Sequence, residues 1–280
     1  MKIDLSFFSI IALISLGTFT GIIGSVLGIG GGIFIIPFLI FFFKLPLKYA
    51  IAVSLVSIVA VSSSVAMVNI EKGLTNLRLG ITLEIPMALG SLMGSLIMLK
   101  MPSKTLQLYF GIILLPIAFQ MFYKSIKQKK EINTNTSGAY SYFEPSIKKN
   151  IYYDIKNLPY AMVFSFFGGT LSGLFGLGGG IIQVPIMNFI CGVPMKIATS
   201  TSNFMIGLSA TVSAIVLLKN GYVLENIAAF LIIGVIVGSF LGIRVLYKSK
   251  SHFIQILFSI FTLLVSFKMI WESIQNGFKF

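Results

Sequence analysis

Residues 28–33 read Gly-Ile-Gly-Gly-Gly-Ile, and residues 176–181 read Gly-Leu-Gly-Gly-Gly-Ile. Each stretch sits inside a long apolar run and is followed at the same distance by a proline, Pro37 or Pro185. Backbone inside a bilayer must be hydrogen-bonded, and a triple glycine is a poor helix former. An apolar run broken twice at equivalent places therefore points to something built at the breaks, as in transporters with discontinuous helices.

Working outward, the two stretches belong to a longer repeat. An ungapped superposition at an offset of 148 runs from about residue 17 to residue 126. It matches Gly21 with Gly169, Pro46 with Pro194, Lys48 with Lys196, Ser54 with Ser202, Gly90 with Gly238 and Gly94 with Gly242. Matching glycines, prolines and a lysine require a duplicated half, not a shared apolar composition. Apolar segments fall near 7–27, 31–43, 49–70, 79–99 and 105–123, then near 158–175, 179–192, 197–218, 224–246 and 253–271. The second segment of each half is too short to span as a straight helix and reads as a half-helix opening after the glycines. The fold class is all-α: a polytopic integral membrane protein of two homologous repeats, each of about five apolar segments, giving 8–10 spans. The domains are a first transmembrane repeat at 1–123, a lysine-rich linker at 124–157 and a second repeat at 158–280.

Composition agrees. The 280 residues are 56% hydrophobic and only 10% charged, with mean hydropathy +0.96. A soluble domain carries far more charge, and a β-barrel would show short alternating segments. The net charge of +13 lies mainly in short loops, as topology signals do, so nucleic acid is not an expected partner. One cysteine and one histidine exclude a disulfide framework and a Cys/His metal cluster, and no cofactor is expected. Lys2 followed by an apolar run imitates a signal peptide, but its counterpart at 155–175 marks it as a structural span. Seven lysines place the linker on the cytoplasmic side, where the sequon at Asn135 is irrelevant, and the linker is expected to be flexible in its middle. Five segments per half put both termini outside and invert the halves; four crossings per half put both termini inside. The basic residues divide 13 to 8 either way, so charge does not choose. The length of the first broken run, about 37 residues or roughly 55 Å as helix, favours five.

The glycine turns Gly30, Gly31, Gly32 and Gly178, Gly179, Gly180 open half-helices, where unpaired N–H groups and the positive dipole end suit an anion. The alternative is close packing through small residues. Duplication also exposes a difference between the halves. Ile-Ala-Val-Ser-Leu at 51–55 becomes Thr-Ser-Thr-Ser-Asn at 199–203, and Ile35 and Ile40 become Gln183 and Asn188. Polar groups at membrane depth are costly unless paired or solvated. Thr199, Ser202 and Asn203 share one helix face and, with Gln183 and Asn188, offer donors to an oxyanion. Interhelical hydrogen bonding is the competing role. Lys48 and Lys196 either attract anions to the cavity mouths or anchor the chain at the interface. Glu84, the one acid well inside a span, either binds a coupling proton, pairs with a lysine, or sits near the interface close to Arg78. No Walker lysine, Rossmann spacing or catalytic triad is present, so the protein reads as a non-enzyme.

The duplicated Gly-Gly-Gly-x-x-x-x-Pro motif, Gly30 to Pro37 and Gly178 to Pro185, with Ala198-Thr199-Ser200 following the second copy, resembles the TauE/SafE sulfite exporter family over residues 12–272. The resemblance implies a multi-pass protein of the bacterial inner membrane that transports small anions, typically sulfite, sulfonates and related organosulfur acids. The expected function is thus a secondary anion transporter, with export of sulfite or a small organosulfonate by rocking of one half against the other. Rival readings are a proton-coupled importer of a small organic acid and a non-transporting membrane scaffold or sensor. The expected partners are the small anion and the bilayer, with a homo-oligomer left open.

Overall fold

The computed structural model describes residues 6–127, 138–144, 149–248, 263–264 and 266–271. The first half contains α1 (Phe7–Leu27), α2 (Gly32–Phe43), α3 (Leu47–Glu71), α4 (Leu77–Lys100) and α5 (Ser103–Lys127). The second contains α6 (Leu158–Phe175), α7 (Gly180–Pro185) with a π-helical continuation Ile186–Ile190, α8 (Met195–Lys219), α9 (Glu225–Lys248) and a helical stretch at 266–271. Among the described residues, six helices (α1, α3, α4, α6, α8 and α9) are long and apolar enough to cross a membrane. Most of the segment expected at 253–271 and the middle of the linker lie outside the described residues.

Local chemistry sets the boundaries. Ser6 and Asn76 cap α1 and α4 by accepting from Ser9 N and Leu79 N. α1 and α6 end on glycines in the left-handed region, Gly28 (φ 70°) and Gly176 (φ 66°). Pro185 cannot donate to the helix ladder, and the turn after it widens so that Cys191 N donates to Ile186 O at 3.2 Å. α3 and α8 are buried along most of their length and form the centre. α4 shows the outer arrangement: Gly80, Leu83, Met87 and Ser91 are buried, while Ile81, Ile85, Leu89 and Met93 form an exposed apolar stripe suited to lipid.

The two halves are inverted. Tyr49, at the start of α3, stacks edge-on with Tyr222, just past the end of α8, at 5.3 Å. At the opposite end, Asn76 N, just past α3, donates to Thr201 Oγ1 near the start of α8 at 3.0 Å. α3 and α8 therefore run antiparallel. This inversion is what five segments per half require, and it is read from the described residues.

Each broken run is a hairpin that returns to its starting end. Lys156 N donates to Cys191 O at 3.0 Å and Asn157 Nδ2 to Ile190 O at 3.3 Å, so the start of α6 meets the finish of the π-helical stretch. In the first half, α1 runs parallel to α9. A Cβ on Gly21 would collide with Val235 O, and one on Gly242 with Ile22 O. α9 begins beside Tyr222, so α1 begins at the end of the bundle where α3 also begins.

This parallel packing crosses the halves. α1 lies along α9, and α4 lies along α6 through Gly90 against Phe166 O and Gly169 against Met87 O. Helix axes come this close only where glycine removes the side chain. Each sequence half therefore holds a backbone-tight helix pair with the other.

The described part of the linker carries two strands. Tyr140–Glu144 (β1) and Lys149–Tyr153 (β2) form an antiparallel hairpin with Tyr140 opposite Tyr153. Tyr142, Ile151 and Tyr153 are buried with Leu74 and Val193. Tyr153 OH accepts from Asn76 Nδ2 at 3.0 Å. The alternation of aromatic and β-branched residues drives this, and the lysine count hides it.

Candidate functional site

The two glycine breaks adopt the same backbone and interlock. Gly28, Gly30 and Gly31 have φ of 70°, 78° and 80°; Gly176, Gly178 and Gly179 have 66°, 77° and 70°. These are left-handed conformations that disfavour other residues. Gly32 and Gly180 are required for space instead. A Cβ on Gly32 would strike Gly176 O, and one on Gly180 would strike Gly28 O. Gly30 and Gly178 both rest on Ile58 and Ile206, which lie near the middles of α3 and α8. The breaks thus face one another at the centre of the bundle, packed directly together.

A matched pair of hydrogen bonds fastens the crossing. Ser54 Oγ donates to Gly176 O at 3.0 Å, and its repeat counterpart Ser202 Oγ donates to Gly28 O at 3.1 Å. A carbonyl at a helix C-terminus has no partner within its own helix, so each serine satisfies a group the glycine turn exposes.

The polar residues singled out from sequence divide into two groups. Thr199, Ser202 and Asn203 do share a face, which lies against the end of α1. Thr199 packs on Gly28, Ser202 is bonded as above, and Asn203 Nδ2 donates to Ser25 O at 3.4 Å. Ser62 Oγ donates to Asn203 O. Asn188 Nδ2 donates to Val193 O at 2.9 Å and closes the turn after the π-helical stretch. The donors of Ser202, Asn203 and Asn188 therefore serve protein carbonyls. Lys48 Nζ donates to Leu99 O at 2.9 Å and lies 5.8 Å from the Tyr222 ring centre. Lys196 opens α8 at the linker end.

Gln183 differs. It is fully buried, its Oε1 accepts from Ser165 Oγ at 3.1 Å, and its Nε2 has no partner. Ser172 Oγ and Ser200 Oγ are likewise buried without partners, and so are both oxygens of Glu84. Ser172 lies beside Gly179, where the Met87 methyl also arrives. Native proteins seldom leave such groups unpaired, so several together mark a place with a job beyond packing.

Register brings Glu84 and Gln183 to one level. Met87 meets Gly179. Glu84 is one turn before Met87 on α4, and Gln183 is one turn after Gly179 on α7. Both steps lead towards the linker end. The counterparts on the other side of the repeat axis are Ile232 for Glu84, Ile35 for Gln183, Gly24 for Ser172 and Gly17 for Ser165. At these positions one side is polar, and its equivalent holds isoleucine or glycine. Sequence comparison of α7 and α8 between halves finds Gln183 and sets Ser200 against Ala52, but it does not reach Ser165 and Ser172 on α6. The same comparison carried onto α6, serine against glycine, exposes both.

Among the described residues there is no group of three or more His, Cys, Asp or Glu side chains able to hold a metal ion.

Comparison with known proteins agrees with this architecture. The family described as Sulfite exporter TauE/SafE matches residues 13–269. The chain is 28% identical to the probable membrane transporter protein YunE of Bacillus subtilis, over 95% of this chain and 99% of that protein. It is 29% identical to a probable membrane transporter protein of Methanocaldococcus jannaschii, over 92% and 95% of the two chains. It is 37% identical to Sulfite exporter TauE/SafE family protein 6 of Arabidopsis thaliana, over 32% of this chain and 21% of that one. No solved structure matches it. A polytopic helical protein with duplicated glycine breaks, matched across nearly its whole length, this chain belongs to the TauE/SafE family of membrane transporters.

Proposed function

We propose that the chain moves small anions across a cell's inner membrane, and that its substrate is sulfite or a small organosulfonate carried outward. The observation that supports this best is the one-sided polar set around the second glycine break, above all the buried, unpartnered Nε2 of Gln183. An amide N–H buried without an acceptor is ready for an oxyanion. Neither half-helix, α2 or α7, has a side-chain cap on its first turn. The backbone of Gly178 to Gly180 therefore adds N–H groups and the positive dipole end to the same site. Gly30 to Gly32 present the same backbone, but the hydroxyls beside them, Thr20 at Gly31 and Ser54 at Gly32, already donate to backbone carbonyls, so that copy serves the crossing rather than the ligand. Lys196 at the linker end raises the local anion concentration. The sulfur chemistry comes from the family and from the names of relatives such as the Arabidopsis protein.

The test is radiolabelled flux in proteoliposomes with sulfite, methanesulfonate, acetate and chloride. Saturable flux of either sulfur anion, inhibited by the other, is expected. Flux of acetate alone would move the substrate class to carboxylates. No flux of any of the four, from protein shown to be folded, would contradict the reading.

A further inference from the structure

Glu84 belongs to the first repeat, yet it stands with the polar set of the second. On α4, Gly80, Glu84, Met87 and Ser91 recur at helical spacing and form one face. The other three show what that face meets. Gly80 lies against Thr201 and Phe204 of α8, with a built Cβ 3.2 Å from each side chain. Met87 reaches Gly179 in the glycine break. Ser91 Oγ donates to Ser209 O at 2.7 Å. Glu84 sits between them with 6% of its surface exposed and no partner for either oxygen. The Ser209 backbone lies beside it outside hydrogen-bond geometry.

The helices packed on α4 bring no charge to this level. α6, α7 and the π-helical stretch contain no Asp, Glu, Lys, Arg or His; their one ionisable side chain is Tyr160, exposed at the start of α6. α8 carries Lys196 and Lys219 at its two ends, and α4 itself carries Arg78 and Lys100 at its ends. A carboxyl in this position meets the anion site in two ways. Ionised, it repels an anion; protonated, it offers an O–H donor to one. Each ligand then raises the affinity for the other by the same factor.

We propose that Glu84 is a proton-binding site linked to the anion: its carboxylate takes up one proton as the anion enters and releases that proton as the anion leaves. This rests on the anion-transport reading above. The counterpart position is Ile232, so the duplicated fold holds one such carboxyl in the paired positions, and one proton per cycle follows. A monovalent anion then crosses without net charge.

The experiment uses proteoliposomes of the full chain with radiolabelled sulfite, and methanesulfonate alongside because that anion takes up no proton itself at neutral pH. With one proton per anion, a one-unit pH gradient sustains about a tenfold anion gradient. Wild type is expected to accumulate label to that extent, independently of membrane potential. Glu84→Gln, whose amide cannot take up a proton, is expected to lose the accumulation. Glu84→Asp, which keeps the carboxyl, is expected to retain accumulation, and it carries the test if the glutamine variant misfolds. Accumulation unchanged in Glu84→Gln would overturn the proposal. A readout that needs no transport separates this from failure of the anion reading. Infrared difference spectra on adding sulfite should show the carbonyl band of a protonated carboxyl, lost in Glu84→Gln. Absence of that band in wild type would overturn the proton site; absence of flux with the band present would overturn only the transport reading.

Discussion

Gly180→Ala is the sharpest perturbation of the central crossing. The backbone of Gly180 is not left-handed, so alanine brings no conformational strain and the whole effect is steric. The new methyl would meet Gly28 O and the Ile206 methyl and would lie 3.0 Å from Ile29 Cα. Two of these are backbone atoms of the other break, held by Ser202 through Gly28 O. They cannot yield without loosening the second crossing as well. Overpacking a tight site costs about 1–3 kcal/mol, and a backbone collision belongs at the upper end. For a chain of this size each kcal/mol is worth roughly 2–4 °C, so a fall of about 6–12 °C is expected. Gly73→Ala is the control. Gly73 has φ 64° and nothing within 4 Å of its built Cβ, so it suffers only left-handed strain, about 1–2 kcal/mol. Both variants are heated in detergent, and the monodisperse protein that remains is measured by size-exclusion chromatography. Gly180→Ala surviving to as high a temperature as Gly73→Ala would refute the reasoning, because the breaks would then not be in contact.

Other expectations follow from particular contacts. Ser54→Ala and Ser202→Ala should each cost about 1 kcal/mol, because each leaves a helix-end carbonyl unpaired; equal losses by the same thermal assay would fit their equivalence, and no loss in either would oppose it. Asn76→Ala removes the cap of α4 and the bond to Tyr153, so a loss of about 1–2 kcal/mol is expected, with faster hydrogen exchange at 149–153. Exchange there unchanged would mean that the hairpin holds without Asn76.

Much of the fold is legible in the sequence because its signals are local. The apolar runs, the left-handed glycines and the prolines each act within a few residues, and the expected segment 31–43 is Gly32–Phe43 in the structure. For the inversion of the halves the sequence carries one signal, the length of a broken run. What the sequence hides is long-range. Nothing local says that α4 packs along α6, so Glu84 and Gln183 fall in different halves on paper and on one side in space. The shared face of Thr199, Ser202 and Asn203 is legible from spacing. What it faces is not, and its donors meet the carbonyls of α1 rather than an open site. The β-hairpin is missed because a count of lysines overrides a period of two in the tyrosines.

The most direct test of the account sets Gln183 against its repeat counterpart. Gln183→Leu and Ile35→Leu place the same side chain at equivalent positions on the two sides of the crossing. Radiolabelled sulfite flux is measured for both in proteoliposomes at matched protein content. The account predicts a loss of at least tenfold in Gln183→Leu and near wild-type flux in Ile35→Leu. Equal flux in the two variants would contradict a one-sided anion site at the second glycine break.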